Sequence, residues 1–220
     1  SDVCSSDLEL VARSAPDGHT MLLSTASALA VNPAGYKSLP YDAVKDFTAI
    51  AKCASNYHLI VARKGFAANS MAELVKLAKA KPGSVSYGSS GIGSPPHFAG
   101  MLLETATGTR MLHIPYKGIS QAVTDLLGEN LDIAAMGPSA AIGHLKTGKL
   151  KPLAATSEKR LDTAPDVPTM QEMGYPGFTT GSWFVLVARA GTPAAIVNRL
   201  NRDINSVLQR AAVKIGRAHV

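Results

Sequence analysis

Three short segments carry the residue types that chemistry would use: Gly88-Ser89-Ser90-Gly91-Ile92-Gly93-Ser94, Pro115-Tyr116-Lys117-Gly118 with Ser120 close behind, and Gly137-Pro138-Ser139. Each links an apolar run to the start of a helical pattern, and Thr25-Ala26-Ser27 is built alike. The free amides of a helix's first turn, at the positive end of its dipole, receive carboxylate or phosphate. Glycine lets a ligand approach the backbone, and serine or threonine adds a hydroxyl donor. Taken singly, Ser94, Ser120 and Ser139 need be no more than N-caps, worth about 1 kcal/mol each. Four such junctions together point to a site for a small anion with more than one acidic group. Lys117 reads as a surface lysine, or would add a charge there, and Tyr116 either gives a phenol and a ring wall or packs as a core aromatic. His97, in the first turn of its helix, either enters the crevice or packs locally, and Trp183 reads as core.

Catalytic constellations are missing from the sequence. The run Gly88–Gly93 does not spell G-x-G-x-x-G, and no G-K-[ST] follows it, so neither a dinucleotide nor a P-loop site is indicated. There is no G-x-S-x-G elbow. The histidines show no H-x-x-x-H spacing, so no metal site is indicated. Acidic residues stand mostly alone. This inventory suits a binding protein better than an enzyme.

The junctions need a scaffold that brings them to one place. Apolar runs predict strands at 21–24, 47–51, 58–62, 85–87, 111–114, 131–136, 150–155 and 182–187. Helices are predicted over 71–81 behind Asn69-Ser70, and over 95–107, 120–127, 140–146 and 194–210, with a short helical piece near 170–173. Asn32-Pro33 is expected to break the small-residue stretch before it. Between residues 85 and 155, four strands alternate with three helices, which argues for right-handed βαβ units and a mostly parallel α/β sheet. In such a sheet the crevice lies at the carboxyl ends of the strands, where the three loops fall.

Composition sets further bounds. The chain has 220 residues, 46% of them hydrophobic, with 22 Lys and Arg against 16 Asp and Glu, a net charge of +6. The charges are scattered and aromatics reach only 5%, which argues against nucleic acid as a partner. No apolar stretch approaches the ~20 residues of a membrane span. The ends are anomalous: residues 2–7 can be encoded by GAC GTG TGC TCT TCC GAT, and its reverse complement encodes residues 215–220. Residues 1–8 and 215–220 therefore read as a sequencing-adapter scar and are set aside from the fold. Without them 21 basic residues face 14 acidic ones, a net +7, and Cys53 is left as a lone thiol.

One echo bears on organisation. Leu59-Ile60-Val61-Ala62-Arg63-Lys64-Gly65 and Val185-Leu186-Val187-Ala188-Arg189-Ala190-Gly191 both end Val-Ala-Arg-x-Gly. They read either as unrelated strands or as a matched pair crossing between two domains, the block between them being an insertion.

Several segments, in this order and spacing, resemble one family. They include Ala15-Pro16-Asp17-Gly18-His19-Thr20, Leu39-Pro40-Tyr41-Asp42, Tyr87-Gly88-Ser89-Ser90-Gly91-Ile92-Gly93-Ser94 with His97, His113-Ile114-Pro115-Tyr116-Lys117-Gly118, and Pro165-Asp166-Val167-Pro168-Thr169. The chain resembles the Bug-type periplasmic solute receptors of tripartite tricarboxylate transporters over nearly all of residues 9–214. The resemblance implies a type II periplasmic-binding-protein fold, its two lobes joined by two hinge strands and closing on a small carboxylate without catalysis. The lobes would be 9–63 with 181–214, the first being incomplete, and 64–180. It further implies a periplasmic monomer that serves membrane transporter subunits, without cofactor or metal. Carried over, it assigns Thr25 and Ser27 to the ligand in one lobe, and Ser90, Gly93, Ser94, Tyr116 and Ser139 in the other. Gly137 stands where many members carry an acid, which tilts the expected ligand towards carboxylates without an amine. The competing readings are the effector-binding domain of a transcription regulator and a small transferase acting on an anionic substrate.

Overall fold

The computed structural model describes residues 3–210 and 213. The chain forms two compact units, one reaching to Ser55 and resuming at Ser182, the other comprising Asn56–Gly181.

The second unit holds a five-stranded sheet in the order β5-β4-β6-β3-β7. Its strands are β3 (Leu59–Arg63), β4 (Ser86–Ser89), β5 (Leu112–Pro115), β6 (Ile133–Met136) and β7 (Leu150–Ala155). Four helices accompany them: α3 (Met71–Ala80), α4 (Pro95–Thr107), α5 (Ile119–Leu127) and α6 (Pro138–Lys146). Successive side chains of a strand face opposite ways, and β3 shows the result. Ile60 and Ala62 join a core with Met71, Leu74 and Leu103, whereas Leu59 and Val61 join another with Ala122, Leu126 and Ala141. Helices α3 and α4 thus cover one face and α5 and α6 the other. Ser70 caps α3 by accepting from the Glu73 amide, while the Glu73 carboxylate takes the Asn69 amide at 2.7 Å.

Four of the five strands run one way, as the mostly parallel expectation has it, and one runs against them. β4 runs parallel to β5 and β6, but β3 runs antiparallel to both β6 and β7. The four alternating strands do share a direction, and β3 intrudes between the last two. Because β3 is buried on both faces between β6 and β7 of this sheet, the division between units falls before it, at 55/56 instead of 63/64. The first echoed segment, β3, is therefore not a crossing strand, whereas the second lies in a strand that begins at the division. The division falls inside β2 (Phe47–Tyr57) and at the start of β8 (Gly181–Arg189).

The other unit holds a three-stranded sheet, β1 (Met21–Thr25), β8 and β2, in the order β1-β8-β2, with β1 antiparallel to β8. Helix α1 (Val3–Ala12) includes Leu8, which is fully buried with Ala28 and Tyr41. Leu8 is thus part of the fold and is not to be set aside with the chain's end. Residues 215–220 lie outside the described residues. Asn32-Pro33 does not interrupt the chain's winding: a π-helix, Ser27–Val31, passes into α2 (Asn32–Gly35), where the proline occupies an opening helical position and forfeits no hydrogen bond. Residues 170–174 form a turn, not a helix. Helix α7 (Ala194–Leu208) sets half-buried Leu200 and Ile204 against Ile50, Ala51 and Ala188.

Candidate functional site

Register brings the junctions of the second unit to one end of its sheet. Ser89 pairs with Pro115, Gly88 with Ala134, and Leu59 with both Met136 and Ala155. The carboxyl ends of β4, β5, β6 and β7 therefore lie together, and His58, just before β3, lies at the same end. The loops that leave it, 88–94, 116–118 and 137, contain no Asp or Glu.

The loop after β4 is held from within. Ser89, fully buried, bonds through Oγ to His113 Nε2 at 2.7 Å, donates to the Gly91 carbonyl and accepts from the Gly91 amide. Gly93, at φ +79°, adopts a left-handed conformation that other residues reach at a cost. Its amide donates to His97 Nδ1 at 3.1 Å. Ser94 caps α4 as expected: its Oγ accepts from the His97 amide and donates to the Gly91 carbonyl at 2.6 Å. Ser90, half-buried, has no hydrogen bond through its hydroxyl to other described residues, which leaves that group available.

Helix α5 begins earlier than expected. Its cap is Gly118, not Ser120, and the Gln121 side chain accepts from the Lys117 amide at 3.1 Å. The backbone of Tyr116 bonds back to Ser89 at 3.0 Å. Its phenol donates to Asp125 at 2.7 Å, and burial, followed by this carboxylate, pushes the phenol up to about 12. That donor is committed to its own helix. Helix α6 starts at Pro138 with Gly137 as its cap, so Ser139 sits inside the first turn, exposed, and is not the cap. A Cβ on Gly137 would come within 3.3 Å of the Asn56 amide group.

The residues assigned by resemblance thus fall into three groups. Ser90, Gly93 and Ser94 share one loop, with the Tyr116 backbone beside it. Ser139 leaves from the adjoining strand β6 at the same end. Thr25 and Ser27 belong to the other unit, where Thr25 Oγ1 accepts from the Ala28 amide and Ser27 opens the π-helix. Sequence reasoning missed Ser89, His113 and Asn56, and left His97 undecided. The imidazoles of His97 and His113 stack with centroids 4.3 Å apart. Burial, then the neighbouring His97, holds His113 below the ordinary imidazole range. Among the described residues, no group of three or more His, Cys, Asp or Glu is placed to hold a metal ion, and no helix is long and apolar enough to cross a membrane.

A family model described as the tripartite tricarboxylate transporter family receptor matches residues 6–215. Protein BugT of Bordetella pertussis is 37% identical over 206 residues, which are 93% of this chain and 63% of BugT. Two solved structures are similar throughout. Rpa4515 of R. palustris, solved with adipate, superposes with a TM-score of 0.76 at 31% identity, covering 96% of this chain and 71% of that one. MatC from Rhodopseudomonas palustris, solved with bound malate, gives 0.73 at 28% identity, covering 98% and 73%. The chain therefore spans somewhat under two thirds of BugT and more than two thirds of the two solved chains.

Proposed function

The chain belongs to the tripartite tricarboxylate transporter receptor family, and from that premise we propose that it captures a small organic dicarboxylate for a membrane transporter, as a periplasmic monomer and without catalysis. The solved neighbours hold adipate and malate, and acids of this kind are the proposed ligands here. Family membership also weighs against the transferase and the transcription-regulator readings.

One observation carries the site. Three strand-to-helix junctions leave the same end of one sheet with no carboxylate in their loops. Ser90 and Ser139 offer uncommitted hydroxyls there, and first-turn amides offer donors with no partner inside their helices. Hydrogen bonds from such donors to an ionised carboxylate are the stronger, charge-assisted kind. Gly93, Ser94 and Tyr116 are proposed to shape the loop, with donors already spent inside the unit. Thr25 and Ser27 are proposed as donors of the first unit, each testable by its own substitution.

Calorimetry against a panel of mono-, di- and tricarboxylates tests the reading. We expect dicarboxylates to bind, and Ser90→Asp, which sets a like charge on the loop, to weaken binding at least tenfold, on the order of 1.4 kcal/mol. A panel without binding, or a Ser90→Asp variant that binds as tightly, would overturn it.

A further inference from the structure

The proposed function gives the two stacked histidines no task, yet their hydrogen bonds reach the ligand loop. The Gly93 amide donates to His97 Nδ1, so that nitrogen carries no proton and the neutral ring keeps its hydrogen on Nε2. Ser89 Oγ shares a hydrogen with His113 Nε2 at 2.7 Å, the direction following the tautomer of that ring. Both rings are thus hydrogen-bonded to the loop, His97 as acceptor. Gly93 offers the one amide of residues 88–94 that is held by a titratable acceptor.

Resting on the receptor reading, we infer that His97 is a proton-operated switch of this loop: protonation at Nδ1 releases the Gly93 amide towards a ligand carboxylate and sets a cation beside it. A protonated Nδ1 cannot accept, so its bond to Gly93 must break. Carboxylate capture then takes up a proton, and affinity rises as pH falls.

The surroundings allow the pair one proton. His113 from β5 faces His97 directly, and Tyr87 from β4 stacks on His113 with centroids 4.8 Å apart. Helix α4 itself brings Glu104, whose carboxylate accepts from the Met111 amide at 2.6 Å. Strand β6, which also packs on α4, carries no titratable residue. Two charged imidazoles in contact repel, and burial disfavours the charge on His113.

Calorimetry with malate and adipate decides the matter, run in two buffers of different ionisation enthalpy and at about pH 8 and about pH 6, on either side of an ordinary imidazole. We expect net proton uptake on binding and an affinity about tenfold higher at the acid pH. His97→Asn preserves an acceptor for the Gly93 amide but cannot titrate, and it also corrects for protonation of the ligand itself. This variant should bind without the added proton uptake and with nearly equal affinity at both pH values. Binding by the unaltered protein without proton uptake overturns the inference alone, as does uptake that persists in His97→Asn. Silence across the whole carboxylate panel overturns the receptor reading and this inference together. Should His97→Asn fail to fold, absence of proton uptake by the unaltered protein still overturns the inference.

Discussion

The two units are built to different depths. In Asn56–Gly181 the sheet is sandwiched: Leu74 and Leu103 lie in the core on one face, Leu126 and Leu131 in the core on the other, and each is at most 2% exposed. In the unit formed by the two chain segments, the buried clusters are small. Leu8, Ala28 and Tyr41 make one, Ile50, Ala51 and Ala188 another, and no residue of α7 is fully buried. Leu23 and Met21 on β1 stand 53% and 38% exposed. Buried apolar area supplies most of the favourable free energy of folding, so stability should be concentrated in the sandwiched unit. The candidate loops of that unit rest on the more rigid body, which favours preformed ligand geometry.

Matched truncations are the strongest way to break this contrast. Leu126→Ala empties a site with no exposure and should cost about 2–5 kcal/mol. Leu200→Ala removes a half-buried side chain in the other unit and should cost about 1 kcal/mol. Urea unfolding reads both, with Trp183 fluorescence reporting the unit of β8 and circular dichroism the whole chain. Equal losses for the two variants would erase the contrast.

Acid should loosen the sandwiched unit in particular. His58 is 4% exposed, and its Nδ1 is the one buried side-chain nitrogen or oxygen without a partner among the described residues. Burial lowers its pKa to about 4. The unfolded chain, with an ordinary imidazole, takes up a proton from about pH 6.5 downward, which the folded unit refuses. Stability contributed by the neutral ring is thus complete above that pH and is lost as the pH falls towards 4, by up to about 3 kcal/mol. His58→Leu removes the titration and leaves the backbone bonds to Thr156 in place. Its stability should fall less than that of the parent between these pH values in urea titrations. Parallel curves for the two proteins would assign the acid sensitivity elsewhere.

The same contrast separates what was legible in the sequence from what was not. The alternation from Val85 to Ala155 has strong local signals, so its strands, its helices and the caps Ser70 and Ser94 were readable. The place of β3 was not, because its neighbours β6 and β7 lie some 70 to 95 residues onward and no local pattern encodes that pairing. Ser120 and Ser139 looked like caps by type. Gln121 reaching back to Lys117 and proline's fixed φ at position 138 start both helices earlier. His97, His113 and Ser89 meet through the register of β4 against β5, which the spacing of 8, 16 and 24 residues conceals. Strand β2, which begins in the other unit, runs on to Tyr57 through Lys, Ser and Asn that carry little strand signal.

Tyr116 offers the smallest effect and the sharpest distinction. By resemblance its phenol serves the ligand; by geometry it serves Asp125 on α5. Tyr116→Phe keeps the ring against Gly88, where a glycine is required because a Cβ would lie 2.5 Å from Leu131. Removing one half-buried hydrogen bond should cost about 1 kcal/mol of stability. Ligand affinity should stay within about twofold, since the lost donor faces the helix. A loss of affinity of tenfold or more, with stability unchanged, would mean that the phenol leaves Asp125 when ligand arrives. The loop of the rigid unit would then be remodelled on binding, and the contrast between a preformed site and a less deeply packed first unit would fail at the residue where it is easiest to measure.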